Sequence, residues 1–166
     1  MKKSDVLFVS IASVLFLIAF LAVRLIDAAQ ATGEVYAKVF YQDQLILMID
    51  LKTNEYVLYN TPFKDRIDVG MAEDGVFYVP GTSTVDMDAL YAVDEYARDN
   101  GIVGIKLLVE SAKIRVAYQE SPRDYCELQP PTDSRLRPLI CLPNELVVTV
   151  HTDMESDEFI PDTVLE

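Results

Sequence analysis

Two cysteines, one histidine and a few carboxylate clusters are the residues that could do chemistry in this 166-residue chain. Cys126 and Cys141 lie in AYQESPRDYCELQPPTDSRLRPLICLPNELVVTVH, which runs from Ala117 to His151. A reactive thiol pair depends on a stabilised thiolate, and here there is neither Cys-x-x-Cys spacing nor a neighbouring histidine to lower a thiol pKa. A zinc site with one histidine and two cysteines lacks a tetrahedral set. In a domain placed outside the cytoplasm, as the N-terminus suggests below, the simplest reading is a structural disulfide. A loop of that length contributes about 3 kcal/mol in the chain-entropy account.

His151 has no serine or cysteine partner in any motif and reads as a strand-end residue. Asp86-x-Asp88 and Asp94-Glu95 could be metal ligands or an acid–base pair, but Asp94 and Arg98 at i, i+4 favour a solvated, ion-paired helix face. Gly101-x-x-Gly104 opens a strand where a phosphate loop would open a helix. No cofactor pattern is found. Tyr36, Tyr41, Tyr56 and Tyr59 could line a stacking surface for sugars or peptides, although such aromatics are more often half-buried strand residues. Arg123, Arg135 and Arg137 cluster around the cysteine-bracketed loop. They either neutralise nearby carboxylates or form an anion or partner contact.

The elements that must position these residues follow from periodicity. Residues 34–41, 45–51 and 55–59 read as three strands of an antiparallel meander, joined by turns at Gln42-Asp43-Gln44 and Lys52-Thr53-Asn54. Residues 76–79 are a short β-like run. A helix follows, capped at Ser83 or Thr84 and ended by Gly101, with Leu90, Val93 and Ala97 as its apolar stripe. Residues 102–109 and 113–118 form a hairpin, and 146–150 a last strand. The tail, 152–166, is acidic and has little to pack.

Residues 6–23 hold nothing more polar than serine, over roughly 27 Å of helix, and Lys2 and Lys3 precede them. This predicts a cytoplasmic N-terminus at 1–5, a single-pass transmembrane anchor at 6–26, a linker at 27–33 and an extracytoplasmic domain at 34–151. The competing reading is a signal peptide cleaved after Ala31, which would secrete the domain. With 14 Lys+Arg against 27 Asp+Glu, the net charge of −13 opposes binding to nucleic acid.

The run Ser121-Pro122-Arg123-Asp124-Tyr125-Cys126, then Cys141-Leu142-Pro143-Asn144, then Leu146 to Val150, resembles the NusG domain II-like proteins, over roughly 33–60 and 101–151. The resemblance implies a small, mainly antiparallel β domain, barrel- or sandwich-like, with a helical insertion at about 61–100 and no assigned activity. Family members commonly carry a cysteine where this chain has Ser121, so a three-thiolate site is in doubt. The expected fold is that β domain behind the transmembrane helix. The expected function is a non-enzymatic binding or accessory module whose partners are the membrane and an envelope protein or cell-surface component. The alternatives are an envelope enzyme or thiol-redox factor and, by family name only, RNA or polymerase binding.

Overall fold

The computed structural model describes residues 3–30, 35–82, 86–120 and 125–152, with the side chains of the first helix described from Ser10 to Leu25. The linker at 31–33, the caps Ser83 and Thr84, Ser121, Arg123 and the tail from Asp153 lie outside the described residues. The chain divides into two units, Met1–Gly33 and Glu34–Glu166.

The first unit is one helix, α1 (Lys3–Gln30). Among the described residues no helix is long and apolar enough to cross a membrane. The transmembrane anchor expected at 6–26 is therefore corrected, and the single-pass localisation that rested on it is withdrawn.

The second unit is mainly antiparallel β. Its strands are β1 (Tyr36–Tyr41), β2 (Gln44–Asp50), β3 (Tyr56–Leu58), β4 (Val76–Val79), β5 (Ile105–Glu110), β6 (Lys113–Tyr118), β7 (Leu139–Cys141) and β8 (Leu146–His151). They form a five-stranded sheet in the order β3-β2-β1-β8-β7 and a three-stranded sheet in the order β4-β5-β6. Side chains alternate across each strand, so one face of each sheet is apolar. Ala37, Val39, Ile49, Val148 and Val150 of the larger sheet share one buried cluster with Phe77, Val79, Ile105, Leu107, Ile114 and Val116 of the smaller. Burying each large side chain there contributes about 1.5–3 kcal/mol. Val39 pairs with Leu47 and Phe40 with Leu45, so Ile46 is an extra residue of β2, and it too is buried in this cluster.

The other face of the small sheet is covered by two short helices, α2 (Asp88–Val93) and α3 (Glu95–Asp99). The single helix expected here is broken at Asp94, whose backbone is extended at φ −128° and ψ 96°. The break interrupts the 3.6-residue period. Leu90 and Ala97 of the expected stripe are buried, while Val93 is 84% exposed. The stretch expected as an insertion also supplies β4, which puts Phe77 and Val79 into the main core. Gly75, at φ 75°, precedes β4, and a Cβ there would strike the Val109 carbonyl.

Two hairpins turn on two residues each, with positive φ at both. These are Gln42 and Asp43 (49° and 59°) and Ser111 and Ala112 (52° and 57°). That geometry matches the twist of the flanking strands and favours Asn-Gly or Asp-Gly. Ser-Ala occupies the second turn against its preference. Replacing Ala112 with glycine should therefore stabilise the domain by about 1 kcal/mol. Urea unfolding of the two chains measures this, and a lower midpoint for Ala112→Gly contradicts it.

Candidate functional site: a disulfide-closed corner

Cys126 and Cys141 are bonded, with Cα atoms 5.3 Å apart, and both are buried. The bond joins the turn that contains Tyr125 and Leu128 to the last residue of β7, an edge strand of the large sheet. Beside it Asn144, fully buried, donates through Nδ2 to Gln119 Oε1 at 2.8 Å and to the Glu120 carbonyl at 3.2 Å. The Gln119 N–H donates to Glu127 Oε1 at 2.9 Å. Gln119 directly follows β6 of the small sheet, and Asn144 lies just before β8 of the large one. This buried amide pair therefore ties the two sheets together at the point where the disulfide closes the loop.

Beyond Cys126 the loop is held at two places. The Gln129 amide donates from Nε2 to the Ile140 carbonyl at 2.8 Å and accepts from the Ile140 N–H at 3.0 Å. These are the two bonds that a neighbouring strand would make, so one side chain covers the outer edge of β7. Further along, Thr132 bridges Ile114 of β6 through both backbone bonds, each 2.9 Å. The chain then turns sharply. The Arg137 N–H donates to the Ser134 carbonyl at 3.2 Å and the Leu136 N–H to Ser134 Oγ at 3.3 Å. Arg135 and Leu136 are thus the central residues of a turn, and both are exposed, Leu136 by 63%.

Of the arginines singled out from sequence, Arg137 approaches Asp133 at 3.8 Å, and Lys113 reaches the same carboxylate at 3.9 Å. Among the described residues Arg135 has no ion-pair partner. Arg123 lies outside the described residues. Two cations thus approach the Asp133 carboxylate, with Arg135 exposed on the turn between Asp133 and Arg137.

Tyr125, Leu128, Leu136, Ile140 and Leu142 are exposed on this same segment. Tyr125 and Leu142 adjoin the two bonded cysteines, and Leu128 adjoins Gln129, which pairs with Ile140. Elsewhere in the described second unit the large exposed apolar side chains are Tyr56, Val93 and Val103. A hollow of about 370 Å³, lined by Gln42, Asp43, Leu142, Glu145, Leu146 and Val147, adjoins the corner.

The other candidates from sequence fall elsewhere. His151 ends β8, opposite Tyr36 of β1, and its Nε2 lies 3.0 Å from Thr149 Oγ1. Asp86 accepts from the Asp88 N–H at 2.9 Å. Among the described residues no group of three or more His, Cys, Asp or Glu could hold a metal ion. Tyr36 and Tyr41 are core residues, Tyr56 is exposed and Tyr59 half-buried, so the four do not form one stacking surface.

Asp94 is the largest departure. It is buried, and it does not pair with Arg98, which bonds to Glu95 and Asp99 instead. One Asp94 oxygen caps α3 by accepting from the Ala97 N–H at 3.0 Å. The other accepts from Lys106 Nζ at 2.6 Å and from the Tyr78 hydroxyl at 2.8 Å. Burial alone would raise the Asp94 pKa, but the bonds from Lys106, Ala97 and Tyr78 outweigh it and hold the carboxyl below its ordinary value of 3.8. Burial, and then the bond to Asp94, push the Tyr78 hydroxyl well above the ordinary phenol range. With both oxygens engaged, this cluster fastens the helices to the small sheet. An aspartate three residues before a buried alanine is the N-cap signal that would have located the break.

No family model matches the chain, and no curated protein or solved structure matches it either.

A carboxyl with a depressed folded pKa stabilises above its unfolded pKa, and that stability is lost as pH falls through the folded value. Asp94→Asn should therefore cost on the order of 3 kcal/mol at pH 7, where it leaves the Lys106 ammonium without its partner. The variant and the parent should converge as pH falls below about 3.8. Thermal unfolding across pH tests this, and a gap that is constant down to pH 2 would contradict it.

Proposed function

We propose that this domain is a non-enzymatic binding or accessory module that contacts a protein partner through the disulfide corner. The observation that carries the reading is a concentration of features on one braced segment. Exposed Leu128, Leu136 and Ile140 share with Arg135 and Arg137 the loop closed by Cys126–Cys141, and exposed Tyr125 and Leu142 flank the two cysteines. Aromatic and arginine side chains beside apolar ones are the residue types that dominate protein interfaces. A loop already fixed by covalent and backbone bonds loses little further freedom on binding, which favours affinity. The disulfide suits folding where thiols oxidise.

A thiol-redox reading has no comparable support, since both sulfurs are buried and bonded. RNA binding is opposed by the net charge of −13. We also propose that the domain is of the NusG domain II-like kind. The support is the Cys141-Leu142-Pro143-Asn144 run and the valine-rich strand behind it, and this kinship adds no partner.

The test is retention of interacting protein by the tagged full chain compared with an Arg135→Glu, Leu136→Ala double variant. Retention should fall by at least about tenfold, the loss of about 1.4 kcal/mol or more expected at a binding hot spot. A Val93→Ala control should retain the parent level. Equal capture by all three chains overturns the reading.

A further inference from the structure

The cationic turn faces a question of occupancy, because the most acidic stretch of the chain begins close to it. β8 is antiparallel to β7, with Leu139 opposite Val148 and Cys141 opposite Leu146. As β8 runs on to His151 it passes the level of Leu139, where the chain enters β7 from Arg135, Arg137 and Pro138. The end of β8 and the approach of the cationic turn to β7 therefore lie at the same end of the sheet. Thr152 is buried, and among the described residues its Oγ1 has no hydrogen-bond partner.

That segment carries Asp153, Glu155, Asp157, Glu158, Asp162 and Glu166, no Lys or Arg, and the apolar residues Met154, Phe159, Ile160, Val164 and Leu165. Its charge and its apolar residues complement a surface made of Lys113, Arg135, Arg137 and exposed Leu136. Lys113 and Arg137 lie 3.9 and 3.8 Å from Asp133, a looser engagement than that of Lys106 with Asp94 at 2.6 Å or of Arg98 with Glu95 and Asp99 at 3.1 Å. Reach is not limiting, since 14 residues extend up to about 46 Å. Tethering also makes the contact intramolecular, at an effective concentration of about a millimolar, so a weak intrinsic affinity suffices.

We propose that the C-terminal segment 153–166 binds in cis to the cationic turn formed by Lys113, Arg135, Leu136 and Arg137. The contact deepens the partner reading of this corner and rests on it for its consequence, which is that a partner must displace the segment. The kind of partner surface that can do so is itself acidic with interspersed apolar residues.

The experiment uses the full chain, as an equal mixture of isotope-labelled and unlabelled protein, and a zero-length carbodiimide that joins carboxylates to amines. Links mapped by mass spectrometry should join Lys113 to carboxylates of 153–166 within single molecules, at several times the yield for Lys38, Lys52 or Lys64. The yield should fall at least about fivefold in 1 M salt, where the screening length is about 3 Å, and in Arg135→Glu, Arg137→Glu protein. The Lys113–Asp133 link reports that the corner is still folded in that variant, and the salt arm needs no variant at all. Tail links spread evenly over the lysines, links between molecules, or no tail links overturn the proposal. Because this readout needs no partner, its failure leaves the partner reading standing, and failed capture leaves the intramolecular contact standing.

Discussion

The domain depends on the way its two sheets are joined beside the disulfide. Asn144 is fully buried and spends its amide on Gln119 and Glu120, at the end of β6, while the adjacent Cys141 is bonded to Cys126. A buried amide left unpaired costs about 1–3 kcal/mol, so this geometry is satisfied only when both sheets are in place. The loop between the cysteines inherits that rigidity. Its edge bond to Ile140 comes from the Gln129 side chain and its bridge to Ile114 from the Thr132 backbone, and the turn at Arg135 and Leu136 is presented on a fixed base.

A second polar cluster fastens the opposite face of the small sheet. Asp94 ends one helix, starts the next and engages Lys106 and Tyr78. Breaking such a pair leaves a charge without its partner, which makes the cluster a strong constraint on where α2 and α3 sit. The two clusters differ in what surrounds them. Asp94 is enclosed by the Tyr78 and Lys106 side chains and the α3 backbone, whereas the disulfide is bordered by exposed apolar and cationic side chains. The first holds the fold, and the second offers a surface.

The parts of this architecture that arise from local patterning could be read from the sequence. The β1–β3 meander, the turn at Gln42-Asp43 and the β5–β6 hairpin follow from alternation and short polar breaks, and the cysteine pairing is expected from an extracytoplasmic setting and the lack of Cys-x-x-Cys spacing. Arg135 and Arg137 could be placed on the loop because they fall between the two cysteines. What escaped depends on tertiary partners. β7 is only three residues long, lies behind Pro138 and exists because β8 is beside it. Asp94 looked like a solvent-facing i, i+4 partner of Arg98 until Lys106 and Tyr78, distant in sequence, enclosed it. Gln129 gives no sign in sequence that its amide stands in for a strand. The transmembrane reading rested on the length of one apolar run and the lysines before it, and among the described residues no helix is long and apolar enough to cross a membrane.

The central claim is that the corner around Cys126–Cys141 is the contact surface of this domain, and position-specific photocrosslinking tests it most directly. A photoreactive side chain would be placed in the full chain at 136, at 142 or at 93, three positions that are all more than half exposed. The account predicts one discrete adduct with the same partner from 136 and 142, and none from 93. Adducts of equal yield from all three positions, or an adduct from 93 alone, would contradict it.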